Sequence, residues 1–339
     1  MTAAFMPGPR NAITDVDGIL VGQAQDEALL TGVSVISCVD SVAAAVDVRG
    51  GGPGTRETEA LLAENLVHKA HAVVLTGGSV FGLAAADAVT WAMSQQGQGL
   101  KLTPDARAIP IVPAAVLHDL TSGTHARWQD APPYAGLGKD AVAHLSADVA
   151  QGSVGAGIGA RAGLERGGIG TASLALGDGI MVGALMAANP VGSVRMADDD
   201  TFHAWPLELN EEFGGKRPDA ATMLPLAQPD FRKLAAAGKA QAGGNTTIGV
   251  VATTAALTAS ECKRLAIMAH DGLARAVSPA HTHFDGDTIF AISTGTAALP
   301  DDEMRPLTVA HIGAALADCT ARAIAKGVYH ASKTGSANG

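Results

Sequence analysis

Between Gly243 and Thr253 the chain reads GGNTTIGVVAT, and this stretch constrains the fold more than any other. Two glycines and an asparagine, tolerant of backbone angles that bulkier residues resist, run directly into two hydroxyl residues. A β-branched apolar run of the kind buried in a sheet follows at once. The hydroxyls of Thr246 and Thr247 therefore sit where a bent loop becomes a strand. A threonine there can attack the carbonyl before it, pass through an ester and emerge, after hydrolysis, as a new chain N-terminus. Its α-amine, with a reference pKa of about 7.7–8.0, then stands beside its own hydroxyl and can take the hydroxyl proton. The same residues also fit an ordinary loop-to-strand junction with a solvated threonine pair.

Composition narrows the setting. The 339 residues are 47% hydrophobic but only 4% aromatic, so Ala, Val, Leu and Gly must do the packing and backbones must approach closely. A chain of this length without a linker-like stretch is expected to form one domain, 1–339. A net charge of −10 with no basic cluster argues against nucleic acid and against anionic membrane surfaces. Cys38, Cys262 and Cys319 are scattered and odd in number, which favours free core thiols over a disulfide framework. No signal-like N-terminal segment and no run of 18 uncharged apolar residues is seen, so a cytoplasmic location is expected.

Taken in order, the runs 19–21, 33–39 and 43–48 read as successive hairpin-like strands. The segment RGGGPGTRET that follows lacks the Lys-Ser/Thr ending of a phosphate loop and reads as a structural loop. Residues 57–70 have helical spacing. Ala72–Leu75 is a strand running through TGGSVFG into an Ala-rich helix, an arrangement whose exposed amides, Gly78 among them, suit an oxyanion. Ser79 lies in GGSVFG rather than GxSxG, a poor nucleophile elbow. Residues 109–117 form an apolar strand ending at His118, a candidate site residue or a structural histidine, and 139–150 has helical spacing.

The glycine-rich block 152–173 does not meet the strand–turn–helix context of a dinucleotide fingerprint; close backbone approach explains it better. Residues 180–188 read as a buried strand delivering Asn189, whose amide can hold a developing oxyanion or simply start a turn before Pro190. The polar, Pro-bearing stretch 195–242 reads as a surface connector. Thr258 and Glu261 form a capping box opening a helix to Val277. In HTHFDGDTIF, two histidines and two aspartates raise a metal site, yet a DGD turn feeding a strand is routine hairpin chemistry; no metal or other cofactor is expected. Residues 307–329 form a long Ala-rich helix before a polar tail.

The ordered set DVRGG, PGTRET, VVLTGGSVFGL, IPIVPAAVL, VGAG with GGIGTAS, GNTT before VVAT, and HTHFDGDTIFA spans nearly the whole chain. Together these motifs resemble the P1-type peptidases, which include L-aminopeptidase D-Ala-esterase/amidase and β-peptidyl aminopeptidases of the DmpA/ArgJ-like fold. The Thr-Thr pair with the DGD turn is most similar to the 6-aminohexanoate-oligomer (nylon) hydrolase branch. The resemblance implies an α/β fold, a four-layer αββα sandwich. It implies self-cleavage at Asn245–Thr246 into chains 1–245 and 246–339 that stay associated, as a homotetramer of such pairs, acting on small peptides or amide oligomers.

By the same resemblance Thr246 is the nucleophile, Asn189 stabilises the oxyanion, and Asp285 and Asp287 orient the nucleophile and its amine. The hydrolase branch has a Tyr where His118 stands and a catalytic-site Lys where Leu164 stands, so either Arg161 or Arg166 is expected to substitute or the site is expected to tolerate the loss. His118, Arg161, Arg166, Thr247 and Gly78 complete the candidate substrate or oxyanion contacts. An endo-acting amidase and an aminopeptidase are both compatible with these motifs. Ornithine acetyltransferase-like acyl transfer and an uncleaved binding module are the alternatives.

Overall fold

The computed structural model describes residues 5–122, 128, 131–196, 200–219, 229–238 and 244–335, the side chains of 237, 334 and 335 excepted. In chain order the strands and helices are β1 (Ile19–Asp26), β2 (Thr31–Val48), β3 (Thr55–Arg56), β4 (Lys69–Thr76), α1 (Ala84–Gln95), β5 (Ala114–Val116) and α2 (Tyr134–Ala143). They continue with β6 (Arg161–Ala162), β7 (Glu165–Arg166), β8 (Gly168–Gly177), β9 (Ile180–Asn189), α3 (Arg232–Ala237), β10 (Thr246–Ala255), α4 (Ala259–Ala276), β11 (Thr288–Ala297) and α5 (Arg305–Gly335). Hydrogen-bonded neighbours run β3-β5-β4-β2-β11-β10-β9-β8, with β1 pairing the first half of β2. A separate hairpin joins β6 to β7.

Strand alternation converts this path into four layers. On β2, Val33 and Val35 pack with Ala85, Val89 and Met93 of α1 and Leu137 and Ala141 of α2. The opposite parity, Ile36, Val42, Ala44 and Val46, joins Val73 and Leu75 of β4, Leu185 of β9, Val250 of β10 and Phe290 of β11 in a core made almost wholly of strands. Beyond it Ala184, Met186 and Val251 pack against Leu265, Ala269 and Leu273 of α4 and Ile312, Leu316 and Ile324 of α5. Three cores separate four layers, α1/α2, sheet, sheet and α4/α5, and this αββα arrangement matches the expected sandwich. Small side chains permit it: a Cβ on Gly170 of β8 would lie 1.9 Å from the Ala323 carbonyl oxygen of α5.

Several expectations need correcting. The segments 33–39 and 43–48 are one 18-residue strand, not a hairpin pair; its register shifts between Ser37 and Val42, and its two ends serve the two sheets. The helix expected over 57–70 is a single 3₁₀ turn, Glu59–Leu61. Of its apolar residues only Leu61 and Ala70 are buried, Ala70 as part of β4, while Leu66 is 94% exposed, so no helical face finds a core. Within 109–117 only Ala114–Val116 is strand, because Pro110 and Pro113 have no N–H for a ladder. The helix placed at 139–150 is α2, Tyr134–Ala143, which buries Tyr134 and Leu137 ahead of the expected start. Helix α4 keeps its capping box, with Thr258 accepting from the Glu261 N–H. The three cysteines are free and buried. No helix among the described residues is long and apolar enough to cross a membrane.

Candidate active site

Thr246 is the first residue of β10, lying directly opposite Asn189, the last residue of β9, in antiparallel register. It is 2% exposed. Its hydroxyl donates to the carbonyl oxygen of Asn245, the residue it would cleave. That same oxygen accepts the Gly286 N–H at 2.9 Å, because Asn245 bridges to Asp285 in the turn before β11. The turn packs tightly: a Cβ on Gly286 would come within 2.7 Å of both the Thr246 hydroxyl and the Gly52 carbonyl. A side chain at 286 would occupy the space of the Thr246 hydroxyl, which is why glycine stands between the two aspartates.

Both aspartates are buried and fully engaged. Asp285 accepts the Val191 N–H at 3.0 Å on one oxygen and the Thr282 N–H and hydroxyl at 3.0 and 2.6 Å on the other. Burial, then the nearby Asp287 carboxylate, raise its pKa above the usual range. Asp287 accepts the Thr247 N–H at 2.8 Å on one oxygen, and the His281 N–H and ring Nδ1 at 3.1 and 2.8 Å on the other. The glycine-rich loop after β2 is structural, as expected: the N–H groups of Arg49, Gly51 and Gly52 donate to carbonyls of Asp287, Thr282 and Asp285. Of the two histidines in HTHFDGD, His281 is bound to Asp287 and His283 is exposed.

A cavity of about 1190 Å³ opens over Thr246. Its wall includes His118, Arg161, Leu164, Asn245 and the apolar Val80, Phe81, Val116 and Leu234. Asn189 adjoins it, but its amide is held by neighbours: Nδ2 donates to the His118 carbonyl at 3.1 Å and Oδ1 accepts the Arg161 N–H at 2.9 Å. The donor at the Asn245 carbonyl is therefore Gly286, not Asn189.

The remaining candidates divide. Arg161 lines the cavity, whereas Arg166, its partner across the β6–β7 hairpin, does not. Thr247 is wholly buried and, by strand alternation, projects to the face opposite Thr246, so it is not a substrate contact. The Gly78 N–H is bound to the Asp119 carboxylate at 2.8 Å and cannot serve an oxyanion in the cavity. Ser79 does line the cavity, with its backbone held at φ 54, although its motif gave no reason to expect it there.

Lys233 of α3 is the residue sequence reasoning missed. Its ammonium reaches the carbonyl oxygens of Arg161 at 2.6 Å and Pro190 at 2.9 Å, and Asn189 Oδ1 at 3.3 Å, on the wall of the same cavity. Burial lowers its pKa from 10.5 to about 7, against the opposing pull of the Asp285 charge. An amine that is partly unprotonated near neutrality thus stands beside the strand end that faces Thr246.

The sequence model of peptidase family S58 matches residues 11–339. An uncharacterized aminopeptidase of Mycobacterium tuberculosis is 44% identical over 336 residues, covering 95% of this chain and 94% of its own. The 6-aminohexanoate-oligomer endohydrolase of Paenarthrobacter ureafaciens is 28% identical over 298 residues, covering 84% of this chain and 76% of the relative. Among solved structures, a Burkholderia sp. β-aminopeptidase superposes with a TM-score of 0.69 at 24% identity, over 96% of this chain and 88% of that one. The L-aminopeptidase D-Ala-esterase/amidase of Ochrobactrum anthropi gives 0.66 at 23% identity with the same coverage, and its structure is described as a variant of the Ntn-hydrolase fold.

Proposed function

Because the chain belongs to peptidase family S58 and is a hydrolase of peptide or amide bonds, we propose that Thr246 is its nucleophile, freed by self-cleavage of Asn245–Thr246. The observation that carries this reading is the contact of the Thr246 hydroxyl with the Asn245 carbonyl, whose oxygen already rests on the Gly286 N–H. In the first step Oγ1 attacks the Asn245 carbonyl carbon while its proton passes to the Lys233 amine. The oxyanion forms on the Gly286 N–H, the C–N bond breaks, and the departing nitrogen takes up the proton to become the Thr246 amine. Water then hydrolyses the ester, leaving a carboxylate on Asn245. Substrate follows the same course, with the freed amine or Lys233 moving the proton and water resolving the acyl-enzyme.

Freshly purified wild-type chain should resolve under denaturing conditions into two fragments meeting at 245/246. Thr246→Ala should remain uncut and without amidase activity. Cleavage at the same bond in that variant would remove Thr246 from the mechanism.

The cavity favours an endo-acting amidase over an aminopeptidase. Its described wall carries Arg161, Lys233 and His118 among apolar side chains, and no carboxylate among the described lining residues stands ready for a substrate ammonium. N-acylated linear amides are thus the better substrates, and a rate comparison between free-amine and N-acylated forms of one amide tests this. Faster hydrolysis of the free amine would return the protein to the aminopeptidase reading.

A further inference from the structure

We propose that His281 is a positioning residue for this reaction, fixing Asp287, and through it the start of β10, by a hydrogen bond from its ring Nδ1. The inference rests on the Thr246 reading of the site. His281 is held at φ 56, a left-handed backbone conformation that is strained for a histidine and persists only where surroundings impose it. That conformation lets one residue place two donors, its backbone N–H and its ring Nδ1, on the same oxygen of Asp287. The other oxygen receives the Thr247 N–H, so Asp287 ties the His281 loop to the peptide unit that immediately follows the nucleophile.

The ring itself is locked from behind. His270 of α4 meets it edge-on, centroids 4.8 Å apart at 71°, and is in turn placed by its Nε2 on the Asp47 carbonyl oxygen at 3.1 Å. The Asp47 carboxylate, 3.7 Å from His270 Nε2, is itself paired with Lys263 and Arg49. His281 Nε2 and His270 Nδ1 are buried with no hydrogen-bond partner among the described residues. Among the described residues the only polar engagement of the His281 ring is therefore Nδ1 on Asp287, which assigns the ring proton to Nδ1. Because His281 is not part of the cavity wall, its effect falls on the chemical step and not on substrate binding.

Asparagine and glutamine separate this role from simple packing. The Asn side-chain nitrogen stands where His Nδ1 stands, and Asn tolerates left-handed backbone, whereas the Gln nitrogen stands where Nε2 stands. His281→Asn, His281→Gln and His281→Ala full-length chains would be followed for self-cleavage by intact mass. Their cleaved fractions would then be compared for kcat and KM on one amide. The Asn variant should cleave and turn over within about threefold of wild type. The Gln and Ala variants should be slower by about tenfold or more in both cleavage and kcat, with KM changed by less than about twofold, the effect of losing one charge-assisted hydrogen bond. Asn impaired as badly as Ala, Gln and Ala matching wild type, or a loss confined to KM would each overturn the proposal. A wild-type chain that neither cleaves nor hydrolyses amides would instead defeat the Thr246 reading, which separates the two failures.

Discussion

Lys233 and Thr246 show how differently single residues announce themselves. The threonine stands in a motif whose chemistry can be argued from backbone tolerance and strand burial alone, and the structure sets it against the carbonyl that this chemistry requires. The lysine sits in a charged connector and looks like any solvated cation. Only the fold brings it to the end of β9, where burial strips its ammonium of water. Its pKa of about 7 sets a pH dependence. The free amine grows as pH rises through that value, so self-cleavage of precursor isolated in acid should accelerate between about pH 6 and 8 and then level off. Lys233→Met should slow cleavage by about 10²–10⁴-fold and lose that inflection, as read by intact mass after a pH jump. A rate that keeps its inflection in the variant would assign the proton transfer elsewhere. Asn189 teaches the converse: its place at a strand end was legible from the strand pattern, but its register opposite Thr246 and its hydrogen bonds to His118 and Arg161 were not.

Elements were legible where a single periodicity governs them. Strands β9 and β10 are continuous apolar runs buried on both faces, helices α4 and α5 each have one apolar face, and all four stand within a few residues of where the pattern puts them. The 18-residue β2 was not legible as one strand, because two polar residues near its middle, Asp40 and Ser41, read as a turn. They sit where the register shifts and the strand passes from one sheet to the other, a long-range feature with no local signal. Helix α4 offers a test of the local signals that did work. Thr258 and Glu261 cap each other, and Glu261 also holds Arg305 at the start of α5 at 2.8 Å. Thr258→Ala, placed in the uncut Thr246→Ala chain, should lower stability by about 1 kcal/mol in urea unfolding. No measurable change would mean that the Arg305 contact alone fixes this corner.

In the whole molecule, β10 and β11 lie between β9 and β2, so the two strands that follow Thr246 are interior to a sheet otherwise built by residues that precede it. Helix α5 adds a buried link: Arg322, 1% exposed, bonds Glu212 at 2.6 Å and Asn11 at 2.8 Å. Hydrogen bonds from Arg322 and Asn11 and the charge of Lys326 keep Glu212 ionised although burial alone would raise its pKa. If Asn245–Thr246 is cut as proposed, strand pairing and this link would hold the fragments together, and separating them would amount to unfolding both. The uncut Thr246→Ala chain should refold from urea with a yield independent of protein concentration, whereas the cut protein should recover in proportion to how often its halves meet. Equal concentration dependence in the two would show that the halves never part. On the proposed cleavage, the interior position of β10 would give the protein a memory of its own maturation. A chain that has cut itself can be lost to heat in one unfolding event and not rebuilt by simple cooling at low concentration, so its lifetime is set by how slowly it opens and not by how stable it is at equilibrium.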